Sequence, residues 1–399
     1  MNRNDFELLN KNIVYFDNGA TTLKPKCVKD AICNYYTEYT ANAHRGDYSL
    51  SATVDSLYEG TREKIRDFIN AKETSEIVFT SGTTNSMNMI VSGFFRNYLK
   101  RDDEVLVTLS EHASNILPWF ILQKEIGIKV KYIELNDKHE VTVENVKKAI
   151  NNKTKVISLA MVTNVIGDER PIKEISKIAH DNNILMVVDA AQGAPHKKID
   201  VQDMNIDALS LSAHKFYGPK GIGVLYLRDG IKFRKYLNGG RQERNRRAGT
   251  ENVAGIVGLA KAMSLSYKNL EENNKREIEL REYFINEIKK NIEKIKINGD
   301  LENRLPGNIN VSFKFVEADN ILHELDKRGI YISTGSACTA GSIESSHVLK
   351  AIGVSDAMAH ATIRISIGKD NTKEEIDYAI KCIVEIVNNL RKLSPLYFE

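Results

Sequence analysis

Lys215 follows an apolar run and precedes a turn rich in glycine and proline, in the segment SLSAHKFYGPKGIGVLY spanning Ser210–Tyr226. A lysine is ordinarily a solvated surface charge. Here a strand-like run lies behind it, and Ser212 and His214 offer hydrogen bonds beside it, which favours a partly desolvated amine. Such an amine is what imine chemistry needs. Asp189 closes another apolar run, Val187-Val188-Asp189-Ala190-Ala191-Gln192. Alone it would read as a helix cap. One strand before Lys215, it reads better as the partner of a pyridinium nitrogen, which keeps a ring able to accept electrons from a carbanion. Thr80-Ser81-Gly82-Thr83-Thr84-Asn85 then joins a strand to a helix. Free amides at a helix start, with Thr83 and Thr84 hydroxyls, can cradle a phosphate.

A second set handles other chemistry. Cys338 sits in Ser333–Ser342, STGSACTAGS, ten small or polar residues that would make a poor core and read as an exposed loop. A cysteine is more often a buried small hydrophobe, which suits Cys27, Cys33 and Cys382; Cys338 reads instead as a nucleophile. Thr362-Ile363-Arg364-Ile365-Ser366-Ile367 alternates strictly, so Arg364 shares a face with Thr362 and Ser366. It is either a surface arginine or a bidentate clamp on a substrate carboxylate. His112, after a strand in Ser110–Asn115, is either structural or stacks on a cofactor ring. The arginine cluster of GGRQERNRRAGT (Gly239–Thr250) lacks interleaved aromatics and is offset by Glu243 and Glu251, so a phosphate or subunit contact suits it better than nucleic acid.

These residues need a sheet whose strand ends converge. Strand-like runs occur at Glu76–Thr80, Glu104–Thr108, Lys129–Leu135, Lys155–Val162, Ile184–Ala191, Ala208–Lys215 and Gly221–Arg228. Most alternate with helical periodicity, as at Thr84–Tyr98, Ala113–Glu125 and Pro171–Asn182. That pattern predicts an α/β fold, a seven-stranded, mostly parallel sheet with helices on both faces. Only Phe216–Lys220 separates the last two strands, too short for a parallel crossover, so that pair should be antiparallel. Residues 256–297 read as a long, charged, exposed helix, either continuous or bent and divided. It leads into a smaller α+β part with strands at Gly307–Phe313, Gly329–Thr334 and Thr362–Ile367. We expect a large α/β domain over 15–255 and a small domain over 256–399, joined by 1–14.

Composition narrows the partners. The 399 residues carry 56 basic and 53 acidic side chains, net +3, which argues against a nucleic-acid or polyanion partner. The four cysteines show no CxxC pair, so neither a disulfide framework nor a metal site is expected. Without an apolar run of membrane length or a secretory leader, the expectation is a reduced, cytoplasmic protein.

The motifs FDNGATT, TSGTTN, EHASN, VVDAAQ, SLSAHKFYGPKGIG, RAGTEN, TGSACTAGS and IRISIG occur in that order, over nearly the whole chain. Together they resemble the cysteine desulfurases, in the class-V branch of fold-type I pyridoxal-phosphate enzymes. The resemblance implies pyridoxal 5'-phosphate as cofactor and a fold-type I transferase fold. Lys215 matches the Schiff-base lysine, Asp189 the partner of the ring nitrogen, and Gln192 and Asn164 residues near the phenolic oxygen. His112 matches the ring-stacking histidine that assists proton transfer. Thr83, Thr84, Ser212 and His214 match phosphate ligands, and Thr250 a phosphate ligand given by the neighbouring subunit of a homodimer. Arg364, with Asn18 and Asn164, matches the substrate-binding set, and Cys338 the cysteine that forms a persulfide.

The resemblance further implies L-cysteine as substrate, L-alanine as product, and a sulfur-acceptor protein, either an iron–sulfur scaffold or a sulfur carrier. A selenocysteine lyase or another class-V enzyme would share Lys215 and Asp189, although transamination has no need of the cysteine loop. A sulfur-delivery scaffold active only with a partner is the reading from a different class. Two groups of the family are mixed here. Ala43-His44-Arg45-Gly46, Glu111–Trp119 and Thr163-Asn164-Val165-Ile166-Gly167 resemble group II, whereas GGRQER and SACTAGS resemble group I.

Overall fold

Apolar side chains alternate along most strand-forming runs, so each strand presents two faces that different helices must cover. The computed structural model describes residues 3–335, 346–394 and 397. After the short strand β1 (Val14–Tyr15) come β2 (Ile77–Thr80), β3 (Glu104–Val107), β4 (Lys129–Tyr132) and β5 (Thr154–Ala160). β6 (Leu185–Asp189), β7 (Ala208–Ser212) and β8 (Gly223–Leu227) follow. Strands β2 to β8 form one seven-stranded sheet in the order β2-β8-β7-β6-β5-β3-β4. Strands β3 to β7 run parallel. β8 is antiparallel to both its neighbours, as the short connection requires.

Leu106, Ile157, Val188, Leu209 and Val224 point to one side, into a core shared with the helices Ser49–Phe68, Ile172–Asp181 and Val253–Ser266. Val105, Val107, Val156, Val187 and Leu225 point to the other, against Met87 and Ile90 of helix Thr83–Ile90 and Trp119 of helix Ala113–Ile126. Covered on both faces, the parallel sheet leaves only its strand ends open to a ligand. From β3 the chain builds outward to β4 on one side, then returns so that β5, β6 and β7 extend the other. That reversal opens a crevice beyond the carboxyl ends of β3 and β5.

The stretch 256–297 takes the divided form, and its first half is buried where exposure was expected. It is two helices, Val253–Ser266 and Leu270–Asn291, separated at Asn269, whose φ of 60° is left-handed. The first is mostly buried against the large sheet, because VAGIVGLAKAMSLS is apolar nearly all round and the dense charge begins only at Lys268. A second, antiparallel sheet contains β9 (Ile295–Ile297), β10 (Asn308–Phe313), β12 (Ser333–Thr334) and β13 (Thr362–Ser366), in the order β12-β13-β10-β9. The helices Leu270–Asn291 and Lys373–Leu393 share its core. β1 pairs in parallel with β11 (Ile330–Tyr331). Phe6, Leu9 and Ile13 pack with Leu23 and Tyr217, so the start of the chain touches both sheets' surroundings.

Where β8 passes the turn after β2, two backbones meet. A Cβ on Gly223 would collide with the Leu211 carbonyl oxygen and lie 2.6 Å from the Gly82 Cα. Both obstacles are main chain and cannot swing aside. Gly223→Ala is therefore expected to cost between about 1 and 3 kcal/mol of stability in urea denaturation; an unchanged midpoint would show that the strand can shift freely.

Candidate active site

Lys215 ends a short 3-10 turn, Ala213–Lys215, directly after β7. Its ammonium donates to the Gly19 carbonyl at 2.6 Å and to the Ala20 carbonyl at 3.0 Å. The bonding is mutual. The Thr22 N–H, the Thr22 hydroxyl and the Lys24 ammonium all donate to the His214 carbonyl, and the Tyr217 N–H donates to the Thr22 hydroxyl at 2.7 Å. Lys24 is a residue that sequence inspection passed over, since a lysine before proline reads as surface. Burial, then the charges of Lys220 and Lys215, push its ammonium down to about 7.

Asp189 is the last residue of β6 and is buried. One carboxylate oxygen accepts the Ala191 N–H at 2.9 Å. Burial still pushes the carboxyl up to about 6, because a single backbone donor does not replace lost water. His112 caps the helix Ala113–Ile126: its Nδ1 accepts the Ser114 N–H at 3.2 Å and lies 2.7 Å from the Ser114 hydroxyl. An accepting Nδ1 assigns the proton of the neutral ring to Nε2.

At the far end, Gly82 stands at φ 137°, a conformation glycine adopts at little cost, and the helix Thr83–Ile90 starts immediately after it. Ser212 and His214 come up beside that helix start, where free amides favour an anion. His214 is pushed down to about 4 by burial and then by Lys215, Lys24 and Lys220. Its Nδ1 is buried and has no hydrogen-bond partner among the described residues.

A cavity of about 580 Å³ joins these parts. Thr83, Thr84, His112, Asn164, Asp189, Gln192, Ser212, His214 and Lys215 all line it, with Ser81, Thr21 and Lys220 in addition. Gln192 donates to the Asn164 Oδ1 at 2.9 Å and to the Gly19 carbonyl at 3.0 Å.

Three expected residues lie elsewhere. Arg364 is not a surface arginine: it is fully buried, donating to Asp17 Oδ1 at 2.9 Å and Asn164 Oδ1 at 3.0 Å behind the cavity wall. Asn18 lines a small adjoining space, which Lys215 also reaches, and its amide donates to the Ser366 carbonyl at 3.0 Å. Thr250 is exposed and does not line the cavity of its own chain. Cys338 lies outside the described residues. Among the described residues no cluster could hold a metal ion, and no helix is long and apolar enough to cross a membrane.

Comparison with known proteins places this arrangement. The family model described as aminotransferase class-V matches residues 14–379. The chain is 41% identical over 386 residues to cysteine desulfurase IscS of Clostridium botulinum (strain Hall), covering 96% of each chain. It is 42% identical to cysteine desulfurase IscS of Methanosarcina thermophila, over 96% of this chain and 94% of that one. Among solved structures, a NifS-like protein superposes with a TM-score of 0.87 at 33% identity, over 94% of this chain and all of the other. The apo cysteine desulfurase from Thermococcus onnurineus NA1 gives 0.88 at 31% identity, over 97% of both. Sequence, sheet order and cavity agree: the chain belongs to the aminotransferase class-V family, with cysteine desulfurases among its relatives.

Proposed function

We propose that the chain is a pyridoxal-phosphate-dependent cysteine desulfurase, which takes sulfur from L-cysteine, releases L-alanine and carries the sulfur on Cys338. The observation that carries this reading is the convergence of an amine, a buried carboxylate, a histidine and a helix start on one cavity.

The residues fit the cofactor. Thr83, Thr84, Ser212 and His214 would receive its phosphate, and the buried His214 Nδ1, without a partner among the described residues, can donate an N–H to an anion there with the ring neutral. Lys215 would hold its aldehyde carbon and Asp189 its ring nitrogen, while His112, Asn164 and Gln192 would flank the ring. The chemistry supplied by bound pyridoxal phosphate is imine formation with an amino acid and delocalisation of a carbanion.

The protein's own part is to bind, orient and move protons. Arg364 is the guanidinium for the substrate carboxylate, and Asn164 and Asn18 border the same region. Cys338, as a thiolate, forms an S–S bond with the substrate sulfur as the C–S bond breaks. The proton that completes the alanine methyl group must come from within the cavity, where His112 and Lys215 are the groups placed to deliver it. Thr250, exposed on its own chain, supports a homodimer in which it completes the second copy's phosphate site. A sulfur-acceptor protein then collects the persulfide sulfur.

The direct test is the visible spectrum of the purified protein before and after L-cysteine, with sulfide and alanine assayed together. Cys338→Ser is expected to keep the cofactor absorbance and lose sulfide release; full turnover in that variant would sink the assignment.

Asp189 gives a test on the cofactor-free protein. Its carboxyl is raised from 3.8 to about 6 by folding. Below pH 4 it is protonated in both states, but above pH 6 the folded state bears the cost of a buried charge. Cofactor-free Asp189→Asn should therefore be the more stable protein at pH 7, by on the order of 1–3 kcal/mol. The advantage should fade as pH falls from 6 to 4. Parallel urea titrations with the same pH dependence would reject the buried-carboxylate account.

A further inference from the structure

Arg170 stands in Gly167-Asp168-Glu169-Arg170-Pro171, between the cavity-lining Asn164 and the next helix, and nothing in the mechanism above uses it. Its side chain is wholly buried, as is that of Glu111, and Asp168 nearly so. Its Nη1 is paired with Glu111 Oε1 and lies 3.4 Å from the Ala160 carbonyl. Its Nη2 donates to the Thr108 hydroxyl at 3.0 Å and the Ser110 hydroxyl at 2.7 Å. The other Glu111 oxygen accepts the Ala160 N–H at 2.8 Å and the Asn115 amide at 2.7 Å. Asp168 accepts from Thr163 and faces Arg170 Nε at 3.7 Å.

Two carboxylates and a guanidinium out of water are a poor way to add stability, since apolar packing of the same volume does as well or better. What they share is location. Thr108, Ser110 and Glu111 belong to the turn after β3, which carries His112. Ala160 ends β5, and Thr163 and Asp168 belong to the turn after it, which carries Asn164. Arg170 is the fork that ties one turn to the other at the reversal of strand order. The main chain before His112 is fixed from a third direction, because His347 Nε2 donates to the Glu111 carbonyl at 3.1 Å. With Glu111 held at both ends and His112 serving as a helix cap, the imidazole retains only its own side-chain torsions.

Resting on the desulfurase reading above, we infer that Arg170, through Glu111, is a positioning residue for His112. It holds the His112 turn against the Asn164 turn, so that imidazole and amide keep their spacing across the cavity. The requirement is for a planar, multidentate cation and not merely for charge balance.

Arg170→Lys separates those two needs, because it keeps the charge but cannot reach three partners. Glu111→Gln, Asp168→Asn and Arg170→Gln together remove all three charges, so none is stranded. In both proteins we expect cofactor absorbance to be retained and kcat with L-cysteine to fall by about tenfold or more, with KM changed less than about threefold. In 15N-histidine NMR spectra the His112 ring signals, assigned by their loss in His112→Gln, should move. Parental kcat and unmoved ring signals in Arg170→Lys overturn the inference. If that variant does not fold, Thr108→Val with Ser110→Ala removes the Nη2 anchors alone. Expected is a smaller shift of the ring signals in the same sense, and none at all overturns the inference. Absence of alanine formation by the parent protein would instead reject the desulfurase reading, while the ring signals still report on His112.

Discussion

The Lys215 ammonium is bound by carbonyls from the other end of the chain, Gly19 and Ala20, 196 and 195 residues away. Thr22 and Lys24 return the contact by donating to the carbonyl of His214. These bonds interlace the 3-10 turn Ala213–Lys215 with a strip that has no helix or strand of its own, and the rest of the site is arranged around them. Gln192 joins the same strip through the Gly19 carbonyl and passes it on to Asn164. A lysine bonded by two carbonyls has lost much of its side-chain freedom before any ligand arrives, and the ordering entropy is met during folding and not during catalysis.

The charges around that lysine are arranged for something anionic. Lys215, Lys24 and Lys220 are close enough to depress one another's neighbours, and both Lys24 and His214 are pushed down, with burial the leading cause in each. Asp189 is pushed the opposite way by the same burial. At neutral pH a charged Lys24 and a charged Asp189 each cost stability, whereas the neutral His214 ring does not. A bound anion at the helix start Thr83–Ile90 relieves the lysines, and a cation beside Asp189 relieves the carboxylate. One molecule with a phosphate at one end and a protonatable ring nitrogen at the other satisfies both demands. That is the physical content of the match between this cavity and the pyridoxal phosphate of the proposed function.

The sheet was legible because its strands are short, β-branched runs with turns between them, and the five-residue gap before β8 left only an antiparallel pairing. Lys215 and Asp189 were legible as polar residues closing apolar strands. Other features depend on contacts between distant segments, which periodicity does not carry. Alternation gives Arg364 a face but not what covers it, and the cover is Asp17 and Asn164. Lys24 and Arg170 look like surface charges until the chain brings carbonyls and carboxylates onto them. The helix Val253–Ser266 shares a proline-free stretch with its charged successor, whose charge suggests exposure for both, yet one is apolar nearly all round and buried and the other is amphipathic.

Arg364 connects these two levels. It belongs to β13 of the smaller sheet, but its donors reach Asp17 beside the Lys215 strip and Asn164 on the cavity. Asp17 Oδ1 also accepts the Ser333 hydroxyl at 2.7 Å, from β12. The guanidinium therefore already has a carboxylate and an amide oxygen, and its Nε alone lacks a partner among the described residues. On the proposed reading, a substrate carboxylate that takes both Nη groups of this fork exchanges for one of the two oxygens. Exchange against Asn164 disturbs Gln192 on the cavity wall; exchange against Asp17 disturbs Ser333, the residue that opens the STGSACTAGS segment. Either way a carboxylate bound there is felt at a second point of the site, because Arg364 is shared, not free.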